Sequence, residues 1–152
     1  MMIGVNTLHI VFDSSGSFCE LGKQHMLNYL GNTVMNLEIM SWVKVKFIYH
    51  IWNEEIQDVE SVEKISPKGI ANVEALQDFL NELAENEAII LITDGDFKGI
   101  NKKSFKEAVN NLDKRFAVIL AGYDAAVLQL KSLSPNCFFA EDMATAFKVL
   151  AG

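Results

Sequence analysis

The sequence predicts an α/β fold of the doubly wound, Rossmann-like class: a mostly parallel central sheet, helices on both faces, and one antiparallel edge strand. Three observations carry this. Short apolar runs at residues 7–12, 88–93 and 116–121 are bounded by turn residues, as buried strands are. Segments with apolar residues at helical spacing alternate with them, which implies parallel pairing through helical crossovers. Two of the runs end in aspartate, Asp13 and Asp94, at the strand end where open α/β sheets place their ligands.

A single domain over residues 1–152 suits the length. Half of the residues are apolar and 22% are charged, a balance that supports a packed core and argues against disorder. The net charge of −7, from 20 acidic and 13 basic side chains, gives no electrostatic attraction for nucleic acid or an anionic membrane. Cys19 and Cys137 form no metal-spaced pair and read as small core residues. Residues 1–6 lack the basic flank and apolar stretch of a signal peptide. No apolar run nears the roughly 18 residues of a membrane span. A soluble, cytoplasmic protein is the expectation.

Residues 7–12 form the first buried strand. The turn Asp13-Ser14-Ser15-Gly16-Ser17 follows, then a helix marked by Leu27, Leu30, Val34 and Leu37. Ser17 lies three residues before Glu20, the spacing of a capping box, so Ser17 is expected to start that helix. Gly31 costs the helix on the order of 1 kcal/mol against alanine, which points to a packing reason. Residues 43–51 alternate Val43, Val45, Phe47 and Tyr49 with Lys44, Lys46, Ile48 and His50, as a strand with one partly exposed face does. Residues 53–58 read as a polar turn and 59–65 as a short edge strand. Pro67-Lys68-Gly69 then breaks the pattern.

Val73, Leu76, Leu80 and Leu83 mark the next helix, with Asn72 as its N-cap. After the strand at 88–93, Phe105, Val109 and Leu112 mark a helix. Residues 116–121 form a buried strand closed by Gly122. Val127, Leu130 and Leu133 suggest a short helix, residues 137–140 a last strand, and Met143, Phe147 and Leu150 a closing helix.

The first turn offers a carboxylate at Asp13 and hydroxyls at Ser15 and Ser17, oxygen donors of the kind that Mg²⁺ prefers. If the strands before Asp13 and Asp94 are neighbours, both carboxylates face one crevice. Two like charges there need a proton or a bridging cation. Each residue also has a structural use open to it: Asp13 can bind turn amides, and Ser17 can cap its helix. His9 and His50 read as strand residues and His25 as a helix residue, with no zinc spacing among them. Ser15 and Ser17 lack the Gly-x-Ser-x-Gly frame of a hydrolase elbow. Asp96 and Lys98 read as solvated loop residues. Trp42 and Trp52 bracket the second strand and are expected to pack, with Trp52 the more exposed of the two.

Asp13-Ser14-Ser15-Gly16-Ser17 resembles the Asp-x-Ser-x-Ser motif of von Willebrand factor type A domains, and Leu91-Ile92-Thr93-Asp94-Gly95 resembles that family's second signature. The order of the two motifs, the alternating elements and Gly122 agree with the family, over nearly the whole chain. The resemblance implies a metal-ion-dependent adhesion site. Ser15 and Ser17 would be direct ligands of Mg²⁺ (or Mn²⁺ or Ca²⁺), and Asp13 and Asp94 would act directly or through water. A partner's Asp or Glu would complete the shell.

One position departs from the family pattern. Lys68-Gly69-Ile70-Ala71-Asn72 puts Ala71 where a ligating threonine usually stands, and a methyl group cannot coordinate an ion. Asn72 could offer its side-chain oxygen instead, with helix capping as its competing use.

The resemblance implies a non-enzymatic interaction module, since stand-alone intracellular members commonly serve as adaptors, including alongside ATPases of the AAA class. A metal-assisted hydrolase or phosphoryl-transfer enzyme built on Asp13 and Asp94 is the first alternative. A scaffold whose metal site has decayed, consistent with Ala71, is the second.

Overall fold

The computed structural model describes residues 4–19, 23–40, 45–95, 97–121 and 127–151, and the main chain only at Ser17, Met40, Val127 and Ala151. In chain order these residues form β1 (Thr7–Asp13), α1 (Lys23–Met40), β2 (Lys46–Trp52), β3 (Ile56–Val59), α2 (Val73–Asn81) and β4 (Glu87–Thr93). Then follow α3 (Lys103–Leu112), β5 (Phe116–Leu120), α4 (Val127–Leu133), β6 (Cys137–Phe139) and α5 (Met143–Ala151). The strands make one six-stranded sheet in the order β3-β2-β1-β4-β5-β6. Every pairing is parallel except β2 with β3. The doubly wound architecture with one antiparallel edge is therefore the observed fold.

Both faces of the sheet are covered, which is why its central strands are apolar without alternation. Leu8, Ile10 and Phe12 of β1 pack with Leu27, Leu30 and Val34 of α1 and with Met143, Ala146 and Phe147 of α5. Val11 of the same strand joins the opposite cluster, with Leu76 and Leu80 of α2, Phe105 and Val109 of α3, and Leu130 of α4. Successive strand residues point to opposite faces, so one strand serves two cores.

Several local expectations need correction. The edge strand is Ile56–Val59, earlier than residues 59–65, because a tight turn at Asn53 (N–H to the Glu55 carbonyl, 3.0 Å) already reverses the chain. Ser17 lies inside a 3-10 turn, Gly16–Cys19, and α1 is described from Lys23 onward. Glu20, its proposed capping partner, lies outside the described residues, as do Trp42, Val43, Lys44, Asp96 and Gly122. Trp52 is fully buried, not exposed, because its indole N–H finds the Asn72 carbonyl at 2.9 Å and its ring packs edge-on against Phe97. Cys19 is exposed and is no core residue, its thiol donating to the Pro67 carbonyl, while Cys137 is half-buried against the α2-side cluster.

A polar chain crosses four strands on the α2 side of the sheet. His9 Nδ1 lies 2.9 Å from His50 Nε2, and His9 Nε2 lies 2.5 Å from Glu87 Oε2. Asp58 Oδ1 lies 2.8 Å from His50 Nδ1, a contact that becomes an ion pair only when the imidazole is protonated. The register produces this array. His50 opposes Asp58 directly, while His50 and Glu87 sit diagonally from His9 across β1–β2 and β1–β4. Phe79 of α2 packs edge-on against both imidazoles.

Burial lowers the pKa of His50 below its ordinary 6.5, with His9 adding to the fall and Asp58 opposing it. The folded state then binds fewer protons at this residue than the unfolded chain, so stability is lost as the pH falls below 6.5. His50→Gln is expected to flatten the decline of melting temperature between about pH 6.5 and 5. An unchanged slope in thermal melts across that range would show that His50 is not the group responsible.

Candidate metal and partner site

The carboxyl edge of the sheet is where the two sequence signatures meet. β1 and β4 are adjacent and parallel, with Phe12 opposite Ile92, so Asp13 and Asp94 leave the sheet side by side. Both are buried, Asp13 at 0% and Asp94 at 1% exposure. Asp13 Oδ1 accepts the Ser15 N–H at 3.0 Å, the turn contact that an Asp two residues earlier provides. Its other oxygen accepts the Thr93 hydroxyl at 2.7 Å. Thr93 Oγ1 in turn accepts the Gly95 N–H at 3.1 Å, so each signature braces the other. Gly95 has a φ of 78°, a conformation that suits glycine in the turn following β4.

A third loop closes the floor. Ser14 N–H and Ser14 Oγ both donate to the Trp52 carbonyl, at 2.8 and 3.1 Å. Gly16 N–H donates to the Gly69 carbonyl and Lys68 N–H to the Ser14 carbonyl, each at 2.8 Å. These bonds tie the end of β1 to the 67–72 segment. A crevice of about 770 Å³ opens beside them, lined by Ser15, Ile70, Ala71, Gly95, Phe97 and Lys98 among others. Lys98 is exposed, as a loop residue should be.

Burial pushes the Asp13 carboxyl up to about 6, against the bonds from Thr93 and Ser15, and the nearby charge of Asp94 adds to the rise. Burial is the larger cause of that shift, and the repulsion between the two carboxylates that the sequence implied is the smaller one. Part of that repulsion is relieved by a residue that the sequence reading overlooked. Lys23, at 5% side-chain exposure, places Nζ 3.1 Å from Asp94 Oδ2. A signal for it was present. Lys23, Leu27, Leu30 and Val34 share one helical stripe, so the stripe that buries the leucines also buries the lysine, and a buried ammonium needs a carboxylate.

The remaining sequence candidates divide clearly. Asp13, Ser15 and Asp94 come together; Ser17 is described only by its main chain in the adjoining 3-10 turn. Asn72 does not join them. Its Oδ1 accepts the Glu74 N–H at 3.1 Å as the N-cap of α2, and its Nδ2 donates to the Glu54 carbonyl. Ala71 is buried in the apolar cluster and brings no oxygen from its side chain. Among the described residues no three His, Cys, Asp or Glu side chains are grouped for a metal. The donor set still fits a hard cation in kind, because two buried carboxylates and the Ser15 hydroxyl supply oxygens only. Among the described residues, the Lys23 ammonium opposes such an ion, and Ala71 brings it no ligand.

No family model and no curated protein matches the sequence. Solved structures do match its fold. The chain is similar to the manganese-loaded TRAP protein of Plasmodium vivax (TM-score 0.68, 16% identity, 97% of this chain and 74% of that one). It is also similar to a von Willebrand factor type A protein from Catenulispora acidiphila (TM-score 0.69, 15% identity, 97% and 43%). A third likeness is to proximal thread matrix protein 1 of the mussel byssus, with a zinc-occupied MIDAS motif (TM-score 0.67, 15% identity, 97% and 45%). The chain spans less than half the length of the last two proteins. With its strand order, its two helical layers and two aspartates meeting at one sheet edge, this chain has the fold of von Willebrand factor type A domains.

Proposed function

We propose that the chain is a non-enzymatic, cytoplasmic protein-interaction module that engages a partner's Asp or Glu at the crevice beside Asp13 and Asp94. The observation that supports this reading is the meeting of those two buried carboxylates at one sheet edge, behind Ser15 and Gly95, which line an open crevice. Asp13, Ser15, Ser17 and Asp94 are the residues that would hold a divalent ion, Mg²⁺ in a cell. When bound, that ion supplies the positive charge that a partner carboxylate seeks. Two fold neighbours, one manganese-loaded and one with a zinc-occupied MIDAS motif, support a divalent ion at this edge. The chain's own contribution is rigidity. Thr93, Ser15 N–H and the Ser14–Trp52 bonds hold the turn before any ligand arrives, so little ordering is left to oppose binding. An ATPase system of the AAA class is the proposed context.

The test is capture from the native lysate in millimolar Mg²⁺. At least one protein is expected to be retained by the wild-type chain and released by chelator, and lost with Asp13→Ala while the circular-dichroism spectrum is unchanged. Capture that ignores both the chelator and Asp13→Ala would overturn the reading. Ala71 favours a second reading, a scaffold without a metal. That reading predicts capture sensitive to Asp13→Ala but indifferent to chelator.

A further inference from the structure

The site described above contains two buried carboxylates and one buried ammonium. Lys23 stands at the first described residue of α1, where the positive end of the helix dipole disfavours a cation. Its ammonium is nevertheless held 3.1 Å from Asp94 Oδ2, both side chains at 5% exposure or less. The stem lies on the same stripe as Leu27, Leu30 and Val34, so the lysine is packed into place. Asp13 meets its charge differently, through the Thr93 hydroxyl and the Ser15 amide. Among the described residues, the Lys23 ammonium is thus placed against Asp94.

We infer that Lys23 is a tethered cation that competes with a divalent ion for Asp94 and sets how tightly the site holds metal. The inference rests on the reading of this edge as a metal site. Its physical basis is simple. An ammonium and a divalent ion next to the same carboxylate repel each other strongly in a poorly solvated pocket, so one must yield to the other. Because the ammonium is covalently attached, it is present at every concentration of free metal. Asp94 is thereby kept compensated when metal is scarce, and the wild-type site fills only when metal is abundant.

The test is calorimetric titration of the full chain with Mn²⁺ and with Mg²⁺, comparing wild type, Lys23→Met and Lys23→Arg. Methionine keeps the buried stem and removes the charge; arginine keeps the charge. Lys23→Met is expected to bind Mn²⁺ at least about tenfold more tightly than wild type, and Lys23→Arg no more tightly than wild type. Measurable but equal affinities in wild type and Lys23→Met overturn the inference and leave the metal reading standing. No binding by any of the three overturns both. Should Lys23→Met fail to fold, the wild type alone decides. Reductive methylation of Lys23, followed by mass spectrometry, is expected to be slow without metal and about tenfold faster at saturating Mn²⁺, as the ammonium is displaced. A rate that saturating metal leaves unchanged overturns the inference.

Discussion

Asp94→Ala is expected to lower unfolding stability by about 3–5 kcal/mol, the usual effect of removing one partner from a buried ion pair. The substitution takes the carboxylate from 3.1 Å beside an ammonium that the α1 stripe keeps away from water. Charge left in such a place costs more than the pair itself contributes, because the pair's mutual attraction had offset the loss of hydration of both ions. For a chain of 152 residues the corresponding fall in melting temperature is roughly 6–20 °C. A double-mutant cycle separates this from simple loss of packing. Asp94→Ala combined with Lys23→Met is expected to be more stable than Asp94→Ala alone, since both charges are then gone. Urea melts of the four proteins give the answer. Additive losses, or a loss under about 1 kcal/mol in the single variant, would show that the pair is solvated and energetically minor.

The second large effect is expected at Gly31. By helix propensity alone, Gly31→Ala should stabilise by about 1 kcal/mol. Packing opposes this and wins. A Cβ built at Gly31 would fall 1.8 Å from the Val62 carbonyl oxygen and 2.8 Å from its carbon. These are main-chain atoms, so no rotamer change relieves the overlap. α1 and the segment around Val62, itself fully buried, must separate. Asn28, whose Oδ1 accepts the Ile65 N–H at 3.0 Å, would be pulled from its partner in the same movement. Gly31→Ala is expected to cost on the order of 3 kcal/mol net, the upper end for overpacking. A neutral or stabilised variant in denaturant melts would mean that the two segments are not in contact in solution.

The same two residues show how far the sequence could be read. Apolar runs ending in turn residues identified β1, β4 and β5, and the aspartates that end β1 and β4 meet at one edge, because strand ends in a doubly wound sheet share it. Gly31 announced a close contact but not with what, since Val62 lies beyond both β2 and β3. Lys23 and Asp94 are 71 positions apart, and only the tertiary fold, which sets α1 near the end of β4, brings them together. The His9–His50–Glu87–Asp58 chain depends on the register of three strand pairs, which no periodicity in one strand reveals. Trp52 was misjudged for a related reason. Its polar flank suggested exposure, while the carbonyl that satisfies its N–H belongs to Asn72, at the mouth of a different helix. Local pattern gives element type; pairing of distant elements decides the chemistry.

The two borders of the sheet carry a consequence of their own. One border is β3, four residues whose Gln57 and Asp58 are exposed; the other is β6, three residues long. Ladders this short, one of them bearing a carboxylate, are poor templates for an incoming strand from another molecule. A polypeptide that docks on this protein therefore gains little by lengthening the sheet. Contact with such a polypeptide would instead be made by side chains and loop main chain.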